Sequence, residues 1–473
     1  MFSDELLARF AESFPVPVMM RGILENILAP ARLNAIFEEA AELQYTRELL
    51  FSTVVEMMSR VVARTDPSLN AAYRRCAEEA GVSAKCVYNK VNGMEPGVSD
   101  TLVRRTAREL ELVIRALGGV LPPLVPGYHA RVLDGNHFAA TDRRLRLLRN
   151  GPSPLPGWVL AILDPALGLI TDVIPCEDGH AQERSLLDKV LELVEANDVW
   201  LMDRNFCVLW FLLGIHRKNA AFLVRQHANN VPWKPCGERI DRGVTSRGHV
   251  WEQAVTVGEP NAELQLRRVT IELFTPTRDG ESELHLLTNL PATVLDALAA
   301  TDMYLQRWLI ETAFRDLTIP LRCEIEGLGM PRAAIFTFAL AVVCYNALQT
   351  LNAALATAQP PVEQTVAAPQ PNRQSPTTPR PELRREISTY YVADEIAGTW
   401  RALDMIPDDT WQSQFATLSP SNLALKLQRL ALDVDLTKFR KRPASKRGGQ
   451  RNAPSKPGSH VSTAKVLMHG QSP

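Results

Sequence analysis

Three carboxylates in this 473-residue chain stand where a charge is costly. Asp134 lies inside the apolar run RVLDGNHF (131–138), between Leu133 and Gly135. Asp203 directly follows VWLM (199–202) and precedes Arg204, Asn205 and Phe206. Glu311 falls within YLQRWLIETAFRDLT (304–318), which reads as one helix. Its apolar stripe is Leu305, Trp308, Leu309, Ala313 and Leu317, and its polar face is Tyr304, Arg307, Glu311 and Thr318, with Arg315 one turn past Glu311. A carboxylate buried without a partner is unstable. Each must therefore cap a turn, pair with a cation or hold something positive. Singly, each has an ordinary role: Asp203 is a natural N-cap, and Glu311 pairs with arginines at i,i+4 spacing. A cap suits Asp134 less, because its strand runs through it. Together, three hard oxygen donors at one spot suit Mg²⁺, which keeps several waters and takes phosphate oxygens as its remaining ligands. Two such ions could activate an attacking oxygen and stabilise a leaving one.

Whether the three meet depends on the elements that carry them. Residues 1–128 show helical periodicity almost throughout, and EEAGVSAKCVYNKVN (78–92) reads as two short helices about a Gly turn, an αα-hairpin or helix-turn-helix. From 129 the texture changes to short Val-, Leu- and Ile-rich runs: RVLDGNHF, WVLAIL (158–163), LITDVI (169–174) and VWLM. A helix over 181–196 precedes the fourth run and another follows at 205–215, so this is an α/β layer. In an RNase H-like sheet the first and fourth strands are neighbours, and a later helix crosses them. AFLVRQ (221–226), VTIELF (269–274) and LHLLT (284–288) read as a β-rich insertion over about 220–290. Helices at 301–318 and 332–355 close a core over 129–355. Residues 356–386 form a Pro-rich linker, with seven prolines in 359–382 alone. A small helical segment (387–437) and a basic tail (438–473) follow. The tail holds nine Lys and Arg and no acid, so it is expected to stay disordered until it meets phosphate.

Hydrophobic residues at 46% and charged residues at 22% require a globular chain. Net charge is −1 with a pI near 6.8, so phosphate binding must come from local clustering. The seven cysteines show neither CxxC nor Cys/His ligand spacing, which argues against a zinc knuckle or a disulfide framework and suits a reducing cytoplasm. AAIFTFALAVVC (333–344) is too short and soon too polar to span a bilayer, so a buried helix and a soluble chain without membrane contact are expected.

With these residues in view, the chain resembles a bacterial insertion-sequence transposase of the DDE type, in the group marked by a Y-x2-R-x3-E-x6-K signature. Tyr304, Arg307 and Glu311 match that signature, whereas Thr318 holds the place of its lysine. DGNH at Asp134 and DRNF at Asp203 resemble the two aspartate motifs. LPG (155–157), YTRELLFSTVVEMMS (45–59), EISTYYVADEIAGTWRALDMIP (386–407) and HVSTAK (460–465) are similar to other stretches of the group. The resemblance implies a helical N-terminal DNA-binding region, an RNase H-like catalytic core with a β insertion and a C-terminal segment for protein contacts. It implies Mg²⁺ or Mn²⁺, two ions, held by Asp134, Asp203 and Glu311, with Tyr304 and Arg307 supporting Glu311 and the DNA backbone. It further implies double-stranded DNA with terminal inverted repeats, a target DNA, and a homodimer holding two ends together. The reaction would free a 3′-OH at the element end and join it to the target. Arg315 or Arg322 would have to replace the missing lysine, and an arginine fork is not a lysine point charge.

Further DNA-contact candidates are Arg143, Arg144 and Arg146 in TDRRLRLLRN (141–150), and Trp251, which with Trp233 lies among Arg239, Arg242, Arg247 and His249. A solvated loop and a small β core are the ordinary readings of these. His137 reads as a hydrogen-bonded structural histidine. Two rivals stand beside the enzyme: a decayed or domesticated copy that binds DNA as a regulator, and a glycosidase that uses two of the acids without a metal.

Overall fold

The computed structural model describes residues 4–46, 48–138, 157–178, 181–227, 231–258, 263–277, 280–325, 328–358 and 380–442. Eight helices run from Glu5 to Ala116. Proline opens three of the longer ones (Pro15–Ile27, Pro30–Ala40 and Pro96–Ala116), where its missing N–H costs nothing. The short helices Ala77–Ala80 and Ala84–Asn92 flank a turn at Gly81, whose φ of +63° suits glycine.

Ten strands among the described residues, β1 (His129–His137), β2 (Trp158–Asp164), β3 (Leu169–Cys176), β4 (Asp198–Met202), β5 (Ala221–Arg225), β6 (Trp233–Pro235), β7 (Ile240–Val244), β8 (Gly248–Val257), β9 (Leu264–Leu273) and β10 (Glu283–Thr288), form one mixed sheet in the order β3-β2-β1-β4-β5-β10-β9-β8-β6, with β7 on β8. β1 (His129–His137), β2 (Trp158–Asp164) and β3 (Leu169–Cys176) are an antiparallel meander. β4 (Asp198–Met202) returns parallel to β1. β5 (Ala221–Arg225) pairs parallel with β4, so the run AFLVRQ belongs beside the central strands. β8 (Gly248–Val257), β9 (Leu264–Leu273) and β10 (Glu283–Thr288) are antiparallel, and β10 returns to the edge of β5, making the outer strands continuous with the central ones.

Strands buried on both faces need apolar residues at every position. Val132, Val159, Ala161, Val199 and Leu201 join a large cluster with the helices, whereas Leu133, Leu160, Trp200 and Met202 face a second cluster around Phe206, Phe211 and Phe222. Each such side chain contributes about 2 kcal/mol on burial. Through the first cluster runs the helix Pro331–Ala358, the one described helix long and apolar enough to cross a membrane, and it is buried almost throughout. It packs against Phe51–Val62, Pro96–Ala116 and the C-terminal helix Pro420–Ala431.

The stretch expected as one helix over 301–318 is two, Ala297–Leu305 and Trp308–Thr318. The chain turns at Gln306 and Arg307, where i→i−3 hydrogen bonds replace the helical ladder. The break shifts the phase of the second helix: Ile310, Ala313 and Leu317 face the core, while Trp308, expected in the apolar stripe, is 55% exposed. Tyr304, expected on the polar face, is buried. Nothing in the local sequence, which lacks Gly and Pro here, forces this break; packing against the sheet overrides propensity.

Candidate functional site

The parallel register of β1 and β4 pairs Leu133 with Met202. One residue further along each strand stand Asp134 and Asp203, so two carboxylates leave adjacent strands at the same end. Side chains alternate along β1, which turns Asp134 to the face of Val132, where the helix Trp308–Thr318 packs.

Arg307 ties this face together. Its Nη1 donates to Asp134 Oδ2 at 3.1 Å and its Nη2 donates to Glu311 Oε1 at 2.7 Å. One guanidinium thus bridges acids 177 positions apart. Arg307 Nε is buried and has no hydrogen-bond partner among the described residues. Tyr304 lies beside Arg307, and burial pushes its phenol up to about 12. Asp203 caps the 3₁₀ turn Arg204–Phe206, accepting from Asn205 N at 2.7 Å through Oδ1. The capping role read from its position is thus present, and it leaves the carboxylate at the strand end beside Asp134.

The electrostatics show carboxylates crowding. Burial raises the Asp134 carboxyl to about 6, with Asp203 and Glu311 adding to the rise and Arg307 and the Gly135 N–H opposing it. A fourth acid takes part that sequence reading passed over. Burial lifts Glu183 to about 7, and Asp203 and Asp134 raise it further. Its signal was an acid at the first turn of an expected helix, which also looks like a routine dipole partner. The observed element there is the 3₁₀ turn Glu183–Leu186 followed by Leu187–Glu192.

All four groups offer hard oxygen donors, and Arg307 already occupies the space between Asp134 and Glu311 as a positive group. In donor chemistry the set fits a divalent cation of the Mg²⁺ kind. Among the described residues no three acids, histidines or cysteines stand in metal-binding geometry, the guanidinium separating Asp134 from Glu311.

Other candidates lie apart. Arg315 is exposed on the Glu311 helix. Arg322 is turned away, its Nη1 donating to Pro67 O at 2.9 Å. The Thr318 hydroxyl donates to Phe314 O at 2.9 Å within its own helix. Trp251 is on β8, four strand spacings from β4, or about 19 Å. There it stacks with Arg239 at 4.7 Å and with His249, so this outer aromatic cluster does not join the carboxylates. His137 packs its exposed ring near Trp158. Arg143, Arg144 and Arg146, the Leu-Pro pair of LPG, most of the linker and the tail beyond Arg442 lie outside the described residues. Nearer the acids, Arg204 and Arg225 both reach Glu281, and Arg184 Nε donates to Asn205 O at 2.9 Å.

Residues 159–346 match the family model of a transposase DDE domain, which supports a DDE-type transposase. The matched stretch contains Asp203 and Glu311 and begins after β1, so Asp134 precedes it. No curated protein matches the chain. A cryo-EM structure of a piggyBac transposase synaptic complex with hairpin DNA is similar over 88% of this chain and 85% of that one, at 11% identity and a TM-score of 0.40, a likeness too low to carry any argument.

Proposed function

We propose that the protein is the transposase of a bacterial insertion sequence, of the group with the Y-x2-R-x3-E-x6-K signature. It would cut DNA at the element's terminal inverted repeats and join the freed 3′-OH to target DNA. The observation that carries this reading is the meeting of Asp134, Arg307 and Glu311 beside Asp203, within and next to the stretch that matches a transposase DDE domain. The strand order β3-β2-β1-β4-β5, antiparallel and then parallel, supports an RNase H-like core. Asp134, Asp203 and Glu311 would hold Mg²⁺ or Mn²⁺, two ions on DNA. Such ions activate the attacking oxygen and neutralise the leaving one. Without metal Arg307 holds Asp134 and Glu311 in register; once the ions bind it would leave Asp134 and offer its guanidinium to a phosphate oxygen. Tyr304 fixes Arg307 from the buried side, and Arg315 faces the DNA backbone.

In this scheme the helical region 1–128 binds DNA, the core 129–355 cuts it, and the segment 387–437 and basic tail 438–473 make protein and phosphate contacts, joined to the core by the stretch 356–386, which ends in a docked helix, Arg380–Glu386, rather than in linker. The working form is a homodimer on two DNA ends, acting in the cytoplasm, a compartment that suits the seven free cysteines. One observation favours a second reading, a decayed or domesticated copy that binds repeats as a regulator. Where the signature calls for lysine stands Thr318, its hydroxyl bonded into its own helix.

The test is incubation of the full-length protein with DNA carrying the gene's flanks. Mg²⁺-dependent nicking at matched repeats, lost with EDTA and in Asp134→Asn while DNA binding persists, is the expected result. Repeat binding without nicking would select the regulator. Nicking retained in Glu311→Gln would overturn the metal-ligand assignment.

A further inference from the structure

Glu183 approaches the carboxylates from the side of the sheet opposite Glu311. The residues that follow it, Leu186, Leu187 and Val190, pack into the second apolar cluster with Trp158 and Trp200. Between Glu183 and the strand end lies Gly135, which by alternation faces that same cluster after Leu133. A Cβ built on Gly135 would stand 2.2 Å from Glu183 Oε1 and 3.0 Å from its Cδ. The carboxylate therefore occupies the space that any side chain at 135 would fill. Asn205 Nδ2, two residues past Asp203, donates to Glu183 Oε2 at 3.5 Å, placing the group at the β4 end as well.

An acid with an ordinary helix-start role would turn toward backbone N–H groups. This one is laid across a bare Cα toward two aspartates of its own charge. The cation bonded within the cluster, Arg307, is engaged by Asp134 and Glu311 on the far face. The geometry points to Glu183 as a fourth oxygen ligand of the divalent-cation site, direct or through a bound water, with Gly135 as the gap through which it reaches. This inference rests on the reading of Asp134, Asp203 and Glu311 as cation ligands. A Cβ at 135 would meet only the flexible end of the Glu183 side chain and displace its carboxylate, leaving the backbone undisturbed.

The test is Mn²⁺ binding by the full-length chain without DNA, read by electron paramagnetic resonance of free Mn²⁺, for wild type, Glu183→Gln, Gly135→Ala and Asp203→Asn. Loss of a group that supports a metal ligand weakens metal binding about 10–100-fold, and loss of a ligand costs at least as much. Glu183→Gln should fall in that range, and Gly135→Ala should do the same with Glu183 intact. In EDTA, Glu183→Gln should melt no lower than wild type, since it removes repulsion, while its gain in Tm on adding Mn²⁺ shrinks; a merely structural glutamate would lower the first and leave the second. Wild-type affinity in Glu183→Gln, with binding lost in Asp203→Asn, would overturn the role of Glu183 and leave the site standing. No Mn²⁺ binding by wild type would overturn both.

Discussion

Replacing Asp134 with Asn should stabilise the metal-free protein at alkaline pH, although it removes an ion pair. Asp134 sits 19% exposed with its carboxyl raised from 3.8 to about 6. A rise of that size is worth roughly 3 kcal/mol. Between these two values the folded chain keeps a proton that the unfolded chain has released, so this group's contribution to stability falls as pH rises from about 4 to 6 and stays low above that. Asn is uncharged at all pH and escapes the penalty. With an unfolding entropy near 2.1 cal/mol/K per residue, the chain's unfolding entropy is on the order of 1 kcal/mol/K, and 3 kcal/mol becomes about 3 °C in Tm. Calorimetry in EDTA at pH 8 should show Asp134→Asn melting higher by about that amount, with the difference closing near pH 4. With Mg²⁺ added, wild type should gain stability by mass action and the variant should not. A lower Tm for Asp134→Asn at pH 8 in EDTA would refute the reasoning, because the Arg307 pair would then outweigh the desolvation of the acid.

Arg307→Lys should lower Mg²⁺-dependent DNA nicking by about 10²-fold, since a single ammonium cannot span Asp134 and Glu311 as the fork does and small misplacements at a reacting centre cost that much; rates within a fewfold of wild type would show that the bridge is dispensable. Arg384→Met should cost on the order of 3 kcal/mol in denaturant unfolding. Arg384 is buried with its guanidinium donating to the carbonyls of Gly119, Leu167 and Gln349, and the apolar substitute would leave those of Gly119 and Leu167, outside any helix, without it. An unchanged midpoint would mean that water replaces those bonds.

Much of this arrangement is legible in the sequence where burial dictates residue type. WVLAIL and VWLM are continuous apolar runs because β2 and β4 are covered on both faces, and such runs announce themselves. The helix Pro331–Ala358 is legible for the same reason. Pairing is less so: AFLVRQ looks alike whether it joins the outer strands or β4, because the local pattern does not encode a strand's neighbour. The turn at Gln306 and Arg307 is illegible, since residues compatible with a helix are bent there by what they pack against. At the site, Asp134 stands out as an acid within an apolar strand. Glu183 does not, because its meaning depends on a missing Cβ at Gly135, across the sheet and 48 positions away.

The most direct measurement is the anomalous diffraction of crystals of the full-length protein soaked in Mn²⁺. A peak bonded to carboxylate oxygens of Asp134 and Asp203 is expected, with Glu311 turned toward it and Arg307 moved off Asp134. A peak elsewhere in the molecule, with Arg307 still joining Asp134 to Glu311, would contradict that expectation.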